Sequence, residues 1–220
     1  MEVVTHFKKT RHSYARLRDG ILYITISTYL SYADREKVAQ KFVHSFERKI
    51  GQHPEQSHSL LHEVYTKGIC TLFTGETYYI AAQKKGRGVS CVFDRDECDT
   101  SVWTSMTRIQ QKKHLILLLR KYCQTEVEAE IRAWVMQLGY GTPSEICISD
   151  TKSRWGSCTS RGVIRISLRT LLLPYHLFTY VCLHESVHLK YMHHRSEFWN
   201  ALAQLLPDYK KRVAEIKSFQ

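Results

Sequence analysis

The sequence predicts an α+β fold, and three observations carry that reading. Residues 12–28 show apolar positions on either side of Asp19-Gly20, a dipeptide favoured in tight hairpin turns. Residues 112–138 carry one broad apolar face at helical spacing, and residues 146–167 read as a β region running directly into a second, strongly apolar helix. The expected organisation is an N-terminal antiparallel β-rich region with one helix over 1–110, followed over 111–220 by a core of a small mixed or antiparallel sheet and a histidine-bearing helix.

In the first hairpin, Tyr14 and Leu17 face Leu22, Ile24 and Ile26 across the turn. Asp34 then stands ahead of Val38, Phe42, Val43, Phe46 and Ile50, which predicts an amphipathic helix over 34–50 with Asp34 as its cap and Gly51 and Pro54 as its stop. Ile69-Cys70-Thr71-Leu72-Phe73 and Thr77-Tyr78-Tyr79-Ile80 form a second hairpin around Gly75, and these pieces are expected to share one small antiparallel sheet. From Lys84 to about Gln110, Gly86, Gly88, Asp94, Asp96 and Asp99 break the pattern, so a loop or a decorated strand pair is expected. The long helix places Leu115, Leu118, Leu119, Tyr122, Ile131, Trp134, Val135 and Leu138 on one side, and Gly139 ends it. After the β region, Pro174 suits the first turn of a helix expected to reach about Met192. Ser196 is the expected cap of a final helix carrying Phe198, Trp199, Leu202, Leu205 and Leu206, broken or kinked at Pro207.

Lys and Arg outnumber Asp and Glu by 32 to 21, a net charge of +11 over 220 residues. That excess favours encounters with polyanions, but the charges are scattered, and no motif supports nucleic acid as a partner. Seven cysteines at irregular spacing, with no CxxC pair, fit reduced thiols. The N-terminus lacks a secretory apolar core, and no window approaches the ~18 apolar residues that span a bilayer, so a soluble cytoplasmic protein is expected.

The chemistry concentrates at His184-Glu185-Ser186-Val187-His188. Helix positions four apart lie roughly 40° apart around the axis, so the two imidazoles point the same way and form a bidentate metal clamp. Glu185 stands beside the clamp, where its carboxylate can reach a metal-bound water without being a ligand. His194, six residues on, has the spacing of a third ligand, with His193 as the alternative and Glu197 or Glu215 as further candidates. Tyr191 occupies the place where such sites carry a glycine, so the turn that brings the third ligand round could fall at His193, a residue that tolerates left-handed backbone. His62-Glu63 repeats the first pair with no second histidine, and is not expected to bind metal. Cys158 and Cys182 lie near the motif but read as small core residues.

The run Arg154-Trp155-Gly156-Ser157-Cys158, then Gly162, Ile166-Ser167, Pro174, Tyr180-Val181, His184-Glu185 with His188, His194 and Phe198-Trp199, resembles the YgjP-like metallopeptidase family, which is similar to the SprT-like zinc proteases. The chain departs from the pattern at Ser186, His193 and Arg195, none of which removes a ligand. The resemblance implies a zincin-like catalytic core with Zn2+ on His184, His188 and His194, Glu185 as catalytic base, and a protein or peptide substrate.

Zinc on three neutral imidazoles keeps a position for water and lowers its pKa towards roughly 7, so that Glu185 can take the proton and later deliver it to the leaving amine. Tyr175, Tyr191 and His193 are candidate oxyanion donors by sequence proximity. Gly156 suggests a close backbone approach, fitting either an edge for an extended peptide or a packing strand under the active helix. Two alternatives are a metal-dependent hydrolase of nucleotide phosphoanhydrides and a nucleic-acid-associated protein with structural zinc.

Overall fold

The computed structural model describes residues 2–18, 21–52, 60–86, 88–151 and 153–219. They divide into two compact units, residues 1–62 with Phe219 and residues 63–218, and residues 63–110 thus fall in the second.

In the first unit, β1 (Glu2–Lys8), β2 (Tyr14–Arg18) and β3 (Ile21–Ser27) form a sheet of order β1-β3-β2. The β2–β3 hairpin pairs Tyr14 with Thr25 and Leu17 with Leu22, in the expected antiparallel sense, while the Asp19-Gly20 turn lies outside the described residues. β1 pairs with β3 in parallel, so the sheet is mixed rather than antiparallel. Leu22, Ile24 and Ile26 are buried on one face, against Ala39, Phe42 and Val43 of α1 (Tyr32–Gln52). α1 begins two residues before the expected start because the cap is Ser31. Its Oγ accepts the Asp34 amide at 3.2 Å and donates to the Asp34 carboxylate at 2.6 Å. Gly51 lies within the helix, and Pro54 is outside the described residues.

The second unit opens with α2 (His62–Lys67) and a separate sheet of β4 (Ile69–Thr71), β5 (Thr77–Lys85) and β6 (Gly88–Asp94). The two predicted hairpins therefore belong to different sheets. Gly75 turns the chain at φ 84°, as expected. Of the loop or decorated strand pair expected from Lys84 to about Gln110, the first part is a strand pair, β5–β6, and α3 (Ser101–Ser105) follows it. Trp103 of α3 is fully buried and donates its indole N–H to the Val64 carbonyl at 2.6 Å.

α4 (Arg108–Leu138) is the predicted long helix. Thr107 and Gln110 make a reciprocal capping box at its start, and Gly139, at φ 64°, closes its end. Its buried apolar side chains run Leu115, Leu118, Leu119, Cys123, Val127, Ile131 and Val135. Beside it lies a third sheet of order β7-β9-β8, comprising β7 (Glu145–Ser149), β8 (Gly156–Cys158) and β9 (Val163–Ser167). β7 runs parallel to β9 and β8 antiparallel. Arg120 and Gln124 of α4 donate to the Ile148 and Ile146 carbonyls, which caps the outer edge of β7. β8 is the opposite edge, with no further strand beside it among the described residues.

α5 (Tyr175–Val187) is buried on nearly every side, as expected of a helix apolar all round. Pro174 is its cap rather than its first residue, and its carbonyl accepts the Leu177 and Phe178 amides. The helix stops at Val187 instead of Met192. The next amides, Leu189 and Lys190, fall back to the Ser186 and Val187 carbonyls in tight turns. α6 (Ser196–Leu205) and α7 (Tyr209–Ile216) follow, separated at Pro207 as expected. Ser196 does not cap α6: Arg195 holds that position, and the Ser196 hydroxyl donates to Glu197. The result is a mixed α+β chain with small sheets and seven α-helices among the described residues. No helix among these residues is long and apolar enough to cross a membrane.

Candidate metal centre

His184 stands on the last turn of α5, and His188 caps the helix in near-helical backbone. The chain then doubles back, so that His194, just ahead of α6, faces them both. The ligand-capable nitrogens of His184, His188 and His194 all lie within 4.8 Å of one another. Nε2 of His184 and Nε2 of His194 are 3.0 Å apart. Four ligands at 2.0–2.1 Å in a tetrahedron stand about 3.3 Å from one another, so the cluster has the size of a zinc site.

Hydrogen bonding prepares two of the rings for this use. His188 Nδ1 is 2.8 Å from the Tyr191 carbonyl. A carbonyl cannot donate, so Nδ1 carries the proton and Nε2 keeps its lone pair. His184 Nδ1 is 3.3 Å from the Tyr180 hydroxyl one turn earlier, which can accept that proton's hydrogen bond when Nε2 serves an ion. Burial and the neighbouring histidines push the pKa of His184 down to about 3, and burial lowers His188 as well. Both are therefore neutral at physiological pH, the form that ligates metal.

Phe198 of α6 forms the apolar floor. It is fully buried, and its ring centroid lies 4.8 Å from that of His184 and 4.7 Å from those of His188 and His194. Trp199 stacks on His194 at 5.6 Å and donates to the His194 carbonyl at 3.0 Å, which holds the returning segment in place. Tyr180, the Tyr191 carbonyl and the ring of Phe198 were not assigned roles from sequence. Tyr180 and Phe198 did stand in the run that carries the family resemblance, whereas a backbone carbonyl such as that of Tyr191 leaves no mark in a sequence.

Glu185 is 5% exposed, and burial pushes its carboxyl up to about 8 against the opposing pull of Arg154. Its neighbour is the backbone of β8. A Cβ on Gly156 would come within 2.7 Å of Glu185 Cγ and Oε1 and 2.9 Å of Cδ. The glycine therefore marks a close approach to the carboxylate itself, and Gly156→Ala is expected to displace Glu185 while leaving the imidazoles in place. Turnover should fall by up to roughly 10²-fold, the scale on which a displacement of about 1 Å acts, with metal content unchanged. Steady-state kinetics alongside metal analysis checks this.

The three histidines and Glu185 open into a cleft of about 480 Å³, lined also by Arg154 to Cys158 and by Val213, Ile216 and Lys217. His193 lies outside the cluster, its Nδ1 accepting the Arg195 amide at 3.4 Å. Glu215 is bonded to His176 at 2.9 Å, and Glu197 accepts from Ser196, so neither carboxylate joins the cluster. Of the sequence-proposed oxyanion donors, Tyr175 bonds to Glu130 at 3.3 Å, while Tyr191 packs its ring on Tyr140 at 6.0 Å. None of Tyr175, Tyr191 and His193 lines the cleft, whereas Tyr180 and Arg154 do. Cys158 does too, but burial raises its thiol to about 11, and burial inside α5 likewise raises that of Cys182 well above its ordinary value. Glu63, of the incomplete second motif, accepts from Lys67 at 2.8 Å on α2.

The family model for the YgjP-like metallopeptidase domain matches residues 11–219. The chain belongs to this family. Membership of YgjP-like metallopeptidases implies a metal, and the three-histidine group is where this chain could hold one. Among solved structures, the metallopeptidase zymogen of Pyrococcus abyssi abylysin is similar at 26% sequence identity, over 41% of the YgjP-like chain and 90% of that one, with a TM-score of 0.39. A search of curated proteins returned no match.

Proposed function

We propose that the protein is a zinc-dependent peptidase with a zincin-like core within residues 111–220, in which His184, His188 and His194 hold the ion and Glu185 is the general base. The observation that carries this reading is the convergence of three imidazoles beside a buried carboxylate in a cleft, in a chain of a metallopeptidase family. Zinc, when bound, lowers the pKa of water towards roughly 7 and polarises a carbonyl oxygen. Glu185 takes the proton from the attacking water and returns it to the leaving nitrogen. Its raised pKa suits the second half of that exchange, and Arg154 favours the ionised form that the first half needs. Phe198 and the buried face of α5 exclude bulk water behind the imidazoles. β8, the open edge of its sheet and in contact with Glu185 through Gly156, is the strand along which an extended peptide would pair, drawing its carbonyl into the cleft.

Incubating the purified protein with an unfolded protein substrate tests the reading. Cleavage should disappear on chelation and return with added zinc. Hydrolysis of nucleoside triphosphates with no cleavage of peptide would transfer the site to phosphoanhydride chemistry.

A further inference from the structure

The first unit presents a sheet face turned away from α1, in which Thr25 and Ser27 of the central strand are buried and flanking side chains of β1 and β2 are exposed. Residues opposite one another on paired strands point to the same side. Leu22, Ile24 and Ile26 turn towards α1, and Tyr23 and Thr25 turn to the other side. There His6 of β1 pairs with Thr25, which pairs in turn with Tyr14 of β2, and Tyr23 pairs with Arg16. The rings of His6 and Tyr23 lie parallel, with planes 3° apart and centroids separated by 6.4 Å. The Arg16 guanidinium sits over the Tyr14 ring at 5.3 Å. His6, Lys8 and Arg16 are exposed, and Tyr14 is 41% exposed. By register Glu2, opposite Ile21, falls at the end of this same face, at the far end of β1 from Lys8.

We propose that this face binds single-stranded nucleic acid. Planar groups spread across all three strands offer stacking surfaces to successive bases, and Lys8 and Arg16 supply charge for the phosphates between them. An anionic lipid surface would meet the same cations but has no flat partner for His6 and Tyr23, and an acidic peptide would leave those rings equally unused. A duplex hides the base faces that the rings would contact. This inference is independent of the peptidase reading, since the face lies in the first unit and the histidine cluster in the second.

Fluorescence anisotropy with the 220-residue chain and a labelled oligothymidylate of roughly 12 nucleotides tests it. Oligouridylate of the same length distinguishes RNA from DNA as the source of the strand. The single strand should bind in preference to a blunt duplex, and Tyr23→Ala and His6→Ala should each weaken binding by about tenfold. Arg16→Gln should reduce the slope of log affinity against log salt by about 0.7, whereas Lys113→Gln on α4 should leave affinity nearly unchanged. Thermal melting of each variant guards against unfolding; if Tyr23→Ala unfolds, the Arg16→Gln slope still decides. The proposal is overturned if ring removal has no effect while Lys113→Gln weakens binding as much as Arg16→Gln, if the duplex binds better, or if phosphatidylserine vesicles bind and the oligonucleotides do not.

Discussion

Glu185→Gln is expected to lower peptide hydrolysis by roughly 10²- to 10⁴-fold, the range contributed by a positioned general base, with zinc content unchanged. Glutamine has nearly the same shape, so the close approach of Gly156 and the packing of α5 are kept. What is lost is the ability to take a proton. Burial pushes the carboxyl of Glu185 up to about 8, and an amide has no proton to exchange in its place. The decrease should therefore fall on kcat, with KM little altered, as read by initial rates and atomic absorption on the same preparation. Turnover equal to that of the parent would remove Glu185 from the mechanism.

His194→Ala is expected to weaken zinc binding by roughly 10²- to 10⁴-fold, about one ligand's share of the 10–16 kcal/mol typical of such sites. His193→Ala should leave affinity unchanged. The two residues are adjacent, but only His194 stacks on Trp199, touches Phe198 and faces His184 Nε2 at 3.0 Å. Competition against a chromophoric chelator measures both variants. Loss of zinc from His193→Ala with retention in His194→Ala would reverse the assignment.

What could be read from the residues alone was local. Gly139 ends α4 where its place past the apolar run predicts, and the apolar run ahead of His184 marks α5 as a buried helix, whereas the capping box of Thr107 and Gln110 starts α4 four residues before the expected 112. β1 was not legible, because its pairing with β3 is parallel and non-local, and Val3 and Phe7 remain exposed where alternation would place core residues. The early end of α5 was equally hidden. It depends on the tight turn at Ser186 and Val187 and on the bond from His188 to the Tyr191 carbonyl, which is made only once the chain has turned back. Gly156 signalled a close approach, but its partner, Glu185, lies 29 residues away in sequence and is brought there by the packing of β8 on α5. The grouping of three imidazoles on Phe198 likewise required the return of the chain through residues 189–195.

The account rests most heavily on an open, three-histidine metal centre, and X-ray absorption of the zinc-loaded protein tests it most directly. The expected spectrum has three imidazole nitrogens at about 2.0–2.1 Å, with the fourth position left to solvent oxygen. Sulfur scattering at about 2.3 Å, which Cys158 in the cleft wall could supply, or a shell with only two imidazoles, would contradict it.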